Sequence, residues 1–421
     1  MFLGLIEAGL SGRVLPFNAS GSSVANASEL SGTRTPERVV QLALKVVWYG
    51  APLMLKEILI MLRHRSLLYL CGACVVASVV LLFPPAAFHA AQTSSSWHII
   101  RELPLAGDGK FDYIAVDSAA RRVYYPRTTH LQIIDTDTGK LIHDMPDMKG
   151  VHGMAIAPEL NRGFSTGDDN SIPIFDLKTF QVLQTVTATG DGPDSIAYDP
   201  VTKRAFSSNG RGKNATAIDG VTGKVLGTVS FEGNPNFLLP DGKGNIFITV
   251  RGAGVSSIVE FDAKTLAITH SWPATPCVSP TGLALDRKHR RLFTSCQGNK
   301  GMTVMNADNG AVITTMLIGT RTDGLGFDPS SGTIIVTCAG DEPVGDGIIN
   351  VFHEDAPDRY SVTATIHTHY GPLTNALDTK THHFWAATTT KTDPPPPPTE
   401  ARPRPFSRPD WSTSEALEIG Q

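Results

Sequence analysis

Residues 192–206 read GPDSIAYDPVTKRAF. Ile196 and Tyr198 alternate with smaller residues, Asp199-Pro200 opens a turn, and a second apolar run starts beyond Arg204. Two short period-2 runs joined by an Asp-Pro turn read as antiparallel strands. The pattern returns as DYIAVDSAARRVYY from Asp112, HGMAIAPELNRGFS from His152, NFLLPDGKGNIFI from Asn236, TGLALDRKHRRLFT from Thr281, DGLGFDPSSGTIIV from Asp323 and LTNALDTKTHHFWA from Leu373. A third strand ending in a polar turn follows, as in IIDTDTGK and AIDGVTGK, and a fourth after that, as in KVLGTVSF from Lys224. The third-strand markers Asp135, Asp176, Asp219, Asp262, Asn306 and His353 lie 41, 43, 43, 44 and 47 residues apart.

Four strands per forty-odd residues is the period of propeller blades, which bury their faces only by stacking around an axis. Seven opening strands predict an all-β fold, a seven-bladed propeller of four-stranded antiparallel blades. The seventh unit lacks a fourth strand after SEALEIGQ, while SWHIIRELPLAG stands alone ahead of the first unit. The N-terminal strand is therefore expected to complete the last blade and remove the open seam. Pro104 suits such an outermost strand, where a missing donor is tolerated.

The propeller is assigned to residues 94–421, with a Pro-rich insertion over 391–411 containing DPPPPPTEARPRPFSRPD. Residues 61–91 have a basic start, an apolar run from Ser66 to Phe83 and small residues after it, the layout of a signal peptide or an uncleaved anchor. Residues 1–60 precede that segment and are read as a misassigned or disordered N-terminal extension. The expected location is periplasmic or secreted, with membrane contact only through an uncleaved segment. Cys71 and Cys74 lie inside the apolar run and leave with it. Of Cys277, Cys296 and Cys338, the first precedes its blade's opening strand and the second ends that blade's second strand, so both reach one rim. A Cys277–Cys296 disulfide and a buried free Cys338 are predicted.

The stretches GPDSIAYDP, ATAIDGVTGKVLGTV and PTGLALDRKHRRLFTSC resemble the YncE-like, YVTN-repeat family of bacterial β-propellers over roughly residues 97–421. The resemblance implies that each innermost strand begins at one rim of a central channel. Aligned units then place Asp112, His152, Asp194, Asn236, Thr281, Asp323 and Leu373 in a ring. Carboxylates and an imidazole converging on an axis suit a divalent cation or a hydroxylated small molecule, and crowded carboxylates favour raised pKa values or a bound positive charge. Rim loops after the second strands add Arg127, Asn209, Arg211, Arg251 and Asn299, three arginines among them suited to an anion.

No CxxCH, GxSxG, Walker or HExxH motif occurs. The expected function is a monomeric, non-enzymatic binding or interaction scaffold, with an unidentified small molecule or protein bound at the loop-bearing rim. A metal-assisted lactonase-like hydrolase and a quinoprotein-like oxidoreductase using the axial ring are the enzymatic alternatives. Single-stranded DNA is a minor one, since aromatics make up 7% of the chain and the net charge is −4.

Overall fold

The structure is a computed structural model that describes residues 97–252, 254–340, 346–390, 392–393 and 408–421. The signal-like segment, residues 1–60 and most of the Pro-rich insertion lie outside the described residues.

Seven four-stranded antiparallel sheets follow one another along the chain. Their innermost strands are Ala115–Asp117, Met154–Ala157, Pro193–Asp199, Asn234–Pro240, Pro280–Asp286, Thr322–Asp328 and Asn375–Asp378. Blades 1 to 6 run inside to outside in simple meander order. Blade 7 departs from this, because its outermost strand is His98–Pro104, paired antiparallel to the C-terminal strand Ser414–Gly420. The first and last strands thus close the ring, and Pro104 sits on an outer edge opposite Glu415.

The core is divided by seam. Seven clusters of buried apolar side chains each join two neighbouring blades, such as Phe206 and Ala217 of blade 3 with Ile248 and Phe261 of blade 4. Phe111 and Val123 of blade 1 meet Trp385 and Ala416 of blade 7 in the same way. A single blade would leave these faces in water, so burial of apolar area works only when neighbours stack.

A polar circuit runs nearer the axis. One blade's donor meets the next blade's innermost carbonyl at every seam: Tyr113 N on His152 O, Thr166 on Asp194 O, Ser195 on Asn236 O, Thr249 on Thr281 O, Thr281 on Thr322 O, Thr337 on Leu373 O, and Thr374 on Asp112 O. Backbones approach closely here. A Cβ on Gly153 would collide with Asp194 O, and one on Gly324 with the Thr374 backbone.

The repeat's aspartates at the other end of the innermost strands are turn residues. Asp199 accepts from the backbone N–H of Thr202 and from its hydroxyl, and Asp241 accepts from the N–H groups of Lys243 and Asn245. Asp135, Asp176, Asp219 and Asp262 do the same two and three residues on, in the outer turns. Short carboxylate side chains suit this because they reach their own turn's donors.

Cys277 and Cys296 are joined by a disulfide, and Cys338 is free and buried.

Candidate functional site at the channel mouth

Ring residues arrive at the mouth because each lies at or just before the start of an innermost strand. The strand's far end is pinned by its turn, and the circuit of carbonyl contacts fixes the near end, so the side chains are presented on a rigid scaffold.

His152 is the centre of the cluster. Its Nδ1 lies 2.9 Å from Asp112 Oδ2 and 3.9 Å from Asp194 Oδ1, while Nε2 lies 3.1 Å from Asp168 Oδ1. One ligand atom each from Asp112, His152 and Asp194 falls within 4.8 Å of the other two. The hydrogen bond with Asp112 pushes the imidazole up to about 9, against the effect of burial, with Asp168 and the Asp194 charge adding to it. At neutral pH the ring is therefore an imidazolium.

Asp194 and Asp323 behave in the opposite sense for acids. Burial raises Asp194 to about 7, and the Asp112 charge adds to the rise. Burial also raises Asp323 to about 6, although the Arg251 guanidinium pulls it down. Lys110 reaches in from the segment before the ring, with Nζ 3.4 Å from Asp112 Oδ2. Asp112 above all, then Asp323 and Asp194, hold its ammonium above the ordinary lysine value.

Two acceptors at the mouth are left over. Asn236 donates its Nδ2 to the Tyr113 hydroxyl at 3.1 Å and to Asp194 Oδ2 at 3.2 Å, which leaves Asn236 Oδ1 buried without a partner. Asp323 Oδ1 is likewise buried and unpartnered. A buried acceptor without a donor costs free energy that an incoming N–H or cation recovers.

Asp112, His152, Asp194, Asn236 and Asp323 are thus brought together, directly or through mutual charge. Thr281 is not, because its fully buried hydroxyl serves the seam, bonded to Thr322 O and Ser295. Among the rim-loop residues only Arg251 acts on the mouth, through its charge on Asp323, and it also donates to Gln297 Oε1 at 2.8 Å. Arg127 is fully buried, its guanidinium bonded to the carbonyls of Leu105, Gly107, Gly109 and Trp411. It ties the closing strand to blade 1, and burial lowers it to about 10. Asn209 is buried and bonded to Ser207, Asn214 and Thr216. Asn299 ties its loop to the segment before the innermost strand of its blade, accepting from Val278 N and donating to Pro276 O. Arg211 is exposed and lies over Gly192, whose positive φ of 66° shapes that rim turn.

Lys110 and Tyr113 belong to the site, although the repeat alignment does not single them out, and so does Asp168, which the sequence places in the rim loop after a second strand. The available signal for Lys110 was its position two residues before Asp112, and for Tyr113 an aromatic where blades 2, 5 and 6 carry glycine.

The fold and mouth define the class, a seven-bladed β-propeller with a charged axial entrance. The chain is similar to YncE: over 190 residues it is 22% identical to the uncharacterized protein YncE of Salmonella typhimurium, and equally so to that of Salmonella typhi. These matches cover 43% of this chain, and the chain spans about half the length of those curated relatives, 53%. No family model matches the sequence. Among solved structures, hydrazine synthase of Kuenenia stuttgartiensis superposes with a TM-score of 0.58 at 12% identity, over 68% of this chain and 94% of that one. The structure titled U3-55K gives 0.62 at 10% identity, over 76% and 98%. At such identities these likenesses show the fold alone.

Proposed function

We propose that this protein is a non-enzymatic binding propeller whose channel mouth takes a cationic ligand, either a divalent metal ion or an organic ammonium. The observation that carries the reading is the surplus of buried acceptors: Asp323 Oδ1 and Asn236 Oδ1 have no donor, beside the carboxylates of Asp112 and Asp194. A ligand rich in acceptors would add to that surplus, whereas one bringing positive charge or N–H groups offsets it. Lys110 supports the same polarity, since a tethered ammonium already occupies the edge of this field. Arg251 and the His152 imidazolium limit how much positive charge fits, which favours a single small cation over a polycationic surface.

The compartment is part of the proposal. A disulfide between Cys277 and Cys296 favours an oxidising location outside the cytoplasm, in keeping with the signal-like segment over 61–91.

The test is a thermal-shift series at pH 8 with calcium, magnesium, manganese and putrescine, set beside a sugar, a lactone and an oligonucleotide. At least one cation is expected to raise the melting temperature of the wild type, and the shift should vanish in Asp194→Asn and Asp323→Asn. A cation response that survives in both variants, or a response confined to the sugar, lactone or oligonucleotide, overturns the reading.

A further inference from the structure

The rim away from the mouth carries a second cluster built from two blades. Asp286 closes the innermost strand Pro280–Asp286 of blade 5, and His289 stands in the turn that follows. Glu354 comes from the third strand of blade 6, Gly347–Ala356. Thr281 and Asp286 are five residues apart on an extended strand, so the cluster lies about 16 Å from the ring position of its own blade.

Its donor atoms converge. His289 Nδ1 is 2.6 Å from Asp286 Oδ2 and 3.6 Å from Glu354 Oε1. All three atoms lie within 4.8 Å of one another. The two carboxylates are deeply buried, with side chains 3% and 5% exposed, while the imidazole is 33% exposed and leaves an approach from solvent. Asp286 is held in place by its turn, accepting from Lys288 N and His289 N.

The second observation concerns bonding rather than proximity. Glu354 Oε1 is buried with no hydrogen-bond partner among the described residues, and it stands 3.6 Å from His289 Nδ1, whose close neighbour is Asp286 Oδ2 at 2.6 Å. The nearest fixed cation does not supply that partner. Arg291 directs its guanidinium to Pro357 O, the Asp358 carboxylate and His289 O.

One imidazole nitrogen and two carboxylate oxygens form a donor set for a borderline divalent metal, while calcium prefers six to eight oxygens. Donors around a tetrahedral zinc ion sit about 3.3 Å apart. Glu354 Oε1 is already near that spacing from Nδ1, and Asp286 Oδ2 need withdraw by less than ~1 Å. We propose that Asp286, His289 and Glu354 form a three-ligand site for a zinc-class divalent ion, completed by water, which fastens blade 5 to blade 6 at the far rim. This site is independent of the mouth and survives or fails without it.

Calorimetric titration of the chelator-stripped full-length protein with zinc, paired with the visible absorption of the cobalt form, tests it. The Asp194→Asn/Asp323→Asn protein is expected to retain one tight equivalent of zinc and a cobalt ligand-field band. In that background His289→Gln or Glu354→Gln should weaken zinc by more than the about 10–100-fold that loss of an outer partner causes, and abolish the band. Both changes keep size and polarity, and the far-ultraviolet spectrum confirms folding. Absence of a tight equivalent in the mouth-disabled protein overturns the proposal, as does undiminished zinc affinity in both His289→Gln and Glu354→Gln.

Discussion

The two ends of the innermost strands treat the same residue type in opposite ways. At the far end, Asp328 and Asp378 stay below the ordinary carboxylate value even though burial works against them, because hydrogen bonds favour the charged form. Those bonds come from the Ser330 and Ser331 hydroxyls and Ser330 N for Asp328, and from Arg121, Lys380 N and Thr381 for Asp378. At the mouth, Asp194 and Asp323 are half-buried with no backbone donor among the described residues, and their pKa values climb to about 7 and about 6. The far end holds carboxylates that the fold itself satisfies. The mouth holds carboxylates that the fold leaves available, which is what the proposed binding role requires of them.

The sharpest way to break this contrast is to remove one acid from the far end. Asp378 is fully buried, accepts from its own turn and pairs with Arg121, whose side chain is 12% exposed. Asp378→Ala removes the buried partner of that guanidinium, leaving it the exposed Asp137 carboxylate, and unties the turn, so it should destabilise the propeller by about 3–5 kcal/mol in urea unfolding. A loss under about 1 kcal/mol would mean that these aspartates follow the repeat without holding it.

The pH profile separates the two ends next. His152 has a folded pKa near 9 against 6.5 unfolded, so its contribution is complete below pH 6.5 and is lost as pH rises through 9. It amounts to up to about 3 kcal/mol. Asp194 and Asp323 are also raised, so the folded state binds the extra protons and stability falls further as pH climbs from about 4 to about 7. Asp328 and Asp378 act the other way, with stability lost as pH falls through their depressed values. The melting temperature should therefore peak in mild acid. His152→Gln should flatten the alkaline arm and leave the acid arm unchanged. An unaltered alkaline arm in that variant would remove the imidazolium from the account of the mouth.

How much of this the sequence carried follows from what repeats. Asp199, Asp241, Asp286, Asp328 and Asp378 recur at one place in the unit, and a recurring letter reports a recurring turn. The orphan strand over residues 97–108 showed how the ring closes, because the seventh unit was one strand short. The mouth is legible as an alignment column but not as a set of contacts. Thr281 occupies the same column as Asp194, yet its hydroxyl reaches the neighbouring carbonyl and enters the seam. Arg127 reads as a free rim cation because no acidic residue lies near it in sequence to mark it as paired. Its acceptors are Gln132 Oε1 and backbone carbonyls up to 284 residues away, as far as Trp411. The far-rim cluster was invisible for the same reason, since Glu354 belongs to another blade than Asp286 and His289.

The smallest expected effect is the most discriminating. Asp194→Asn keeps an acceptor for Asn236 Nδ2 and removes a charge that burial and Asp112 disfavour. Above pH 7 the wild type must ionise this group inside the mouth, while the variant has nothing to ionise. Relative to wild type, Asp194→Asn should therefore gain up to about 2.7 kcal/mol between pH 5, where the folded wild-type carboxyl is protonated, and pH 8. The same substitution should abolish the cation-induced shift. A site that gains stability when its ligand-binding acid is lost is one shaped for a ligand rather than for the fold, and a variant destabilised equally at both pH values would place Asp194 with the turn aspartates of the far end.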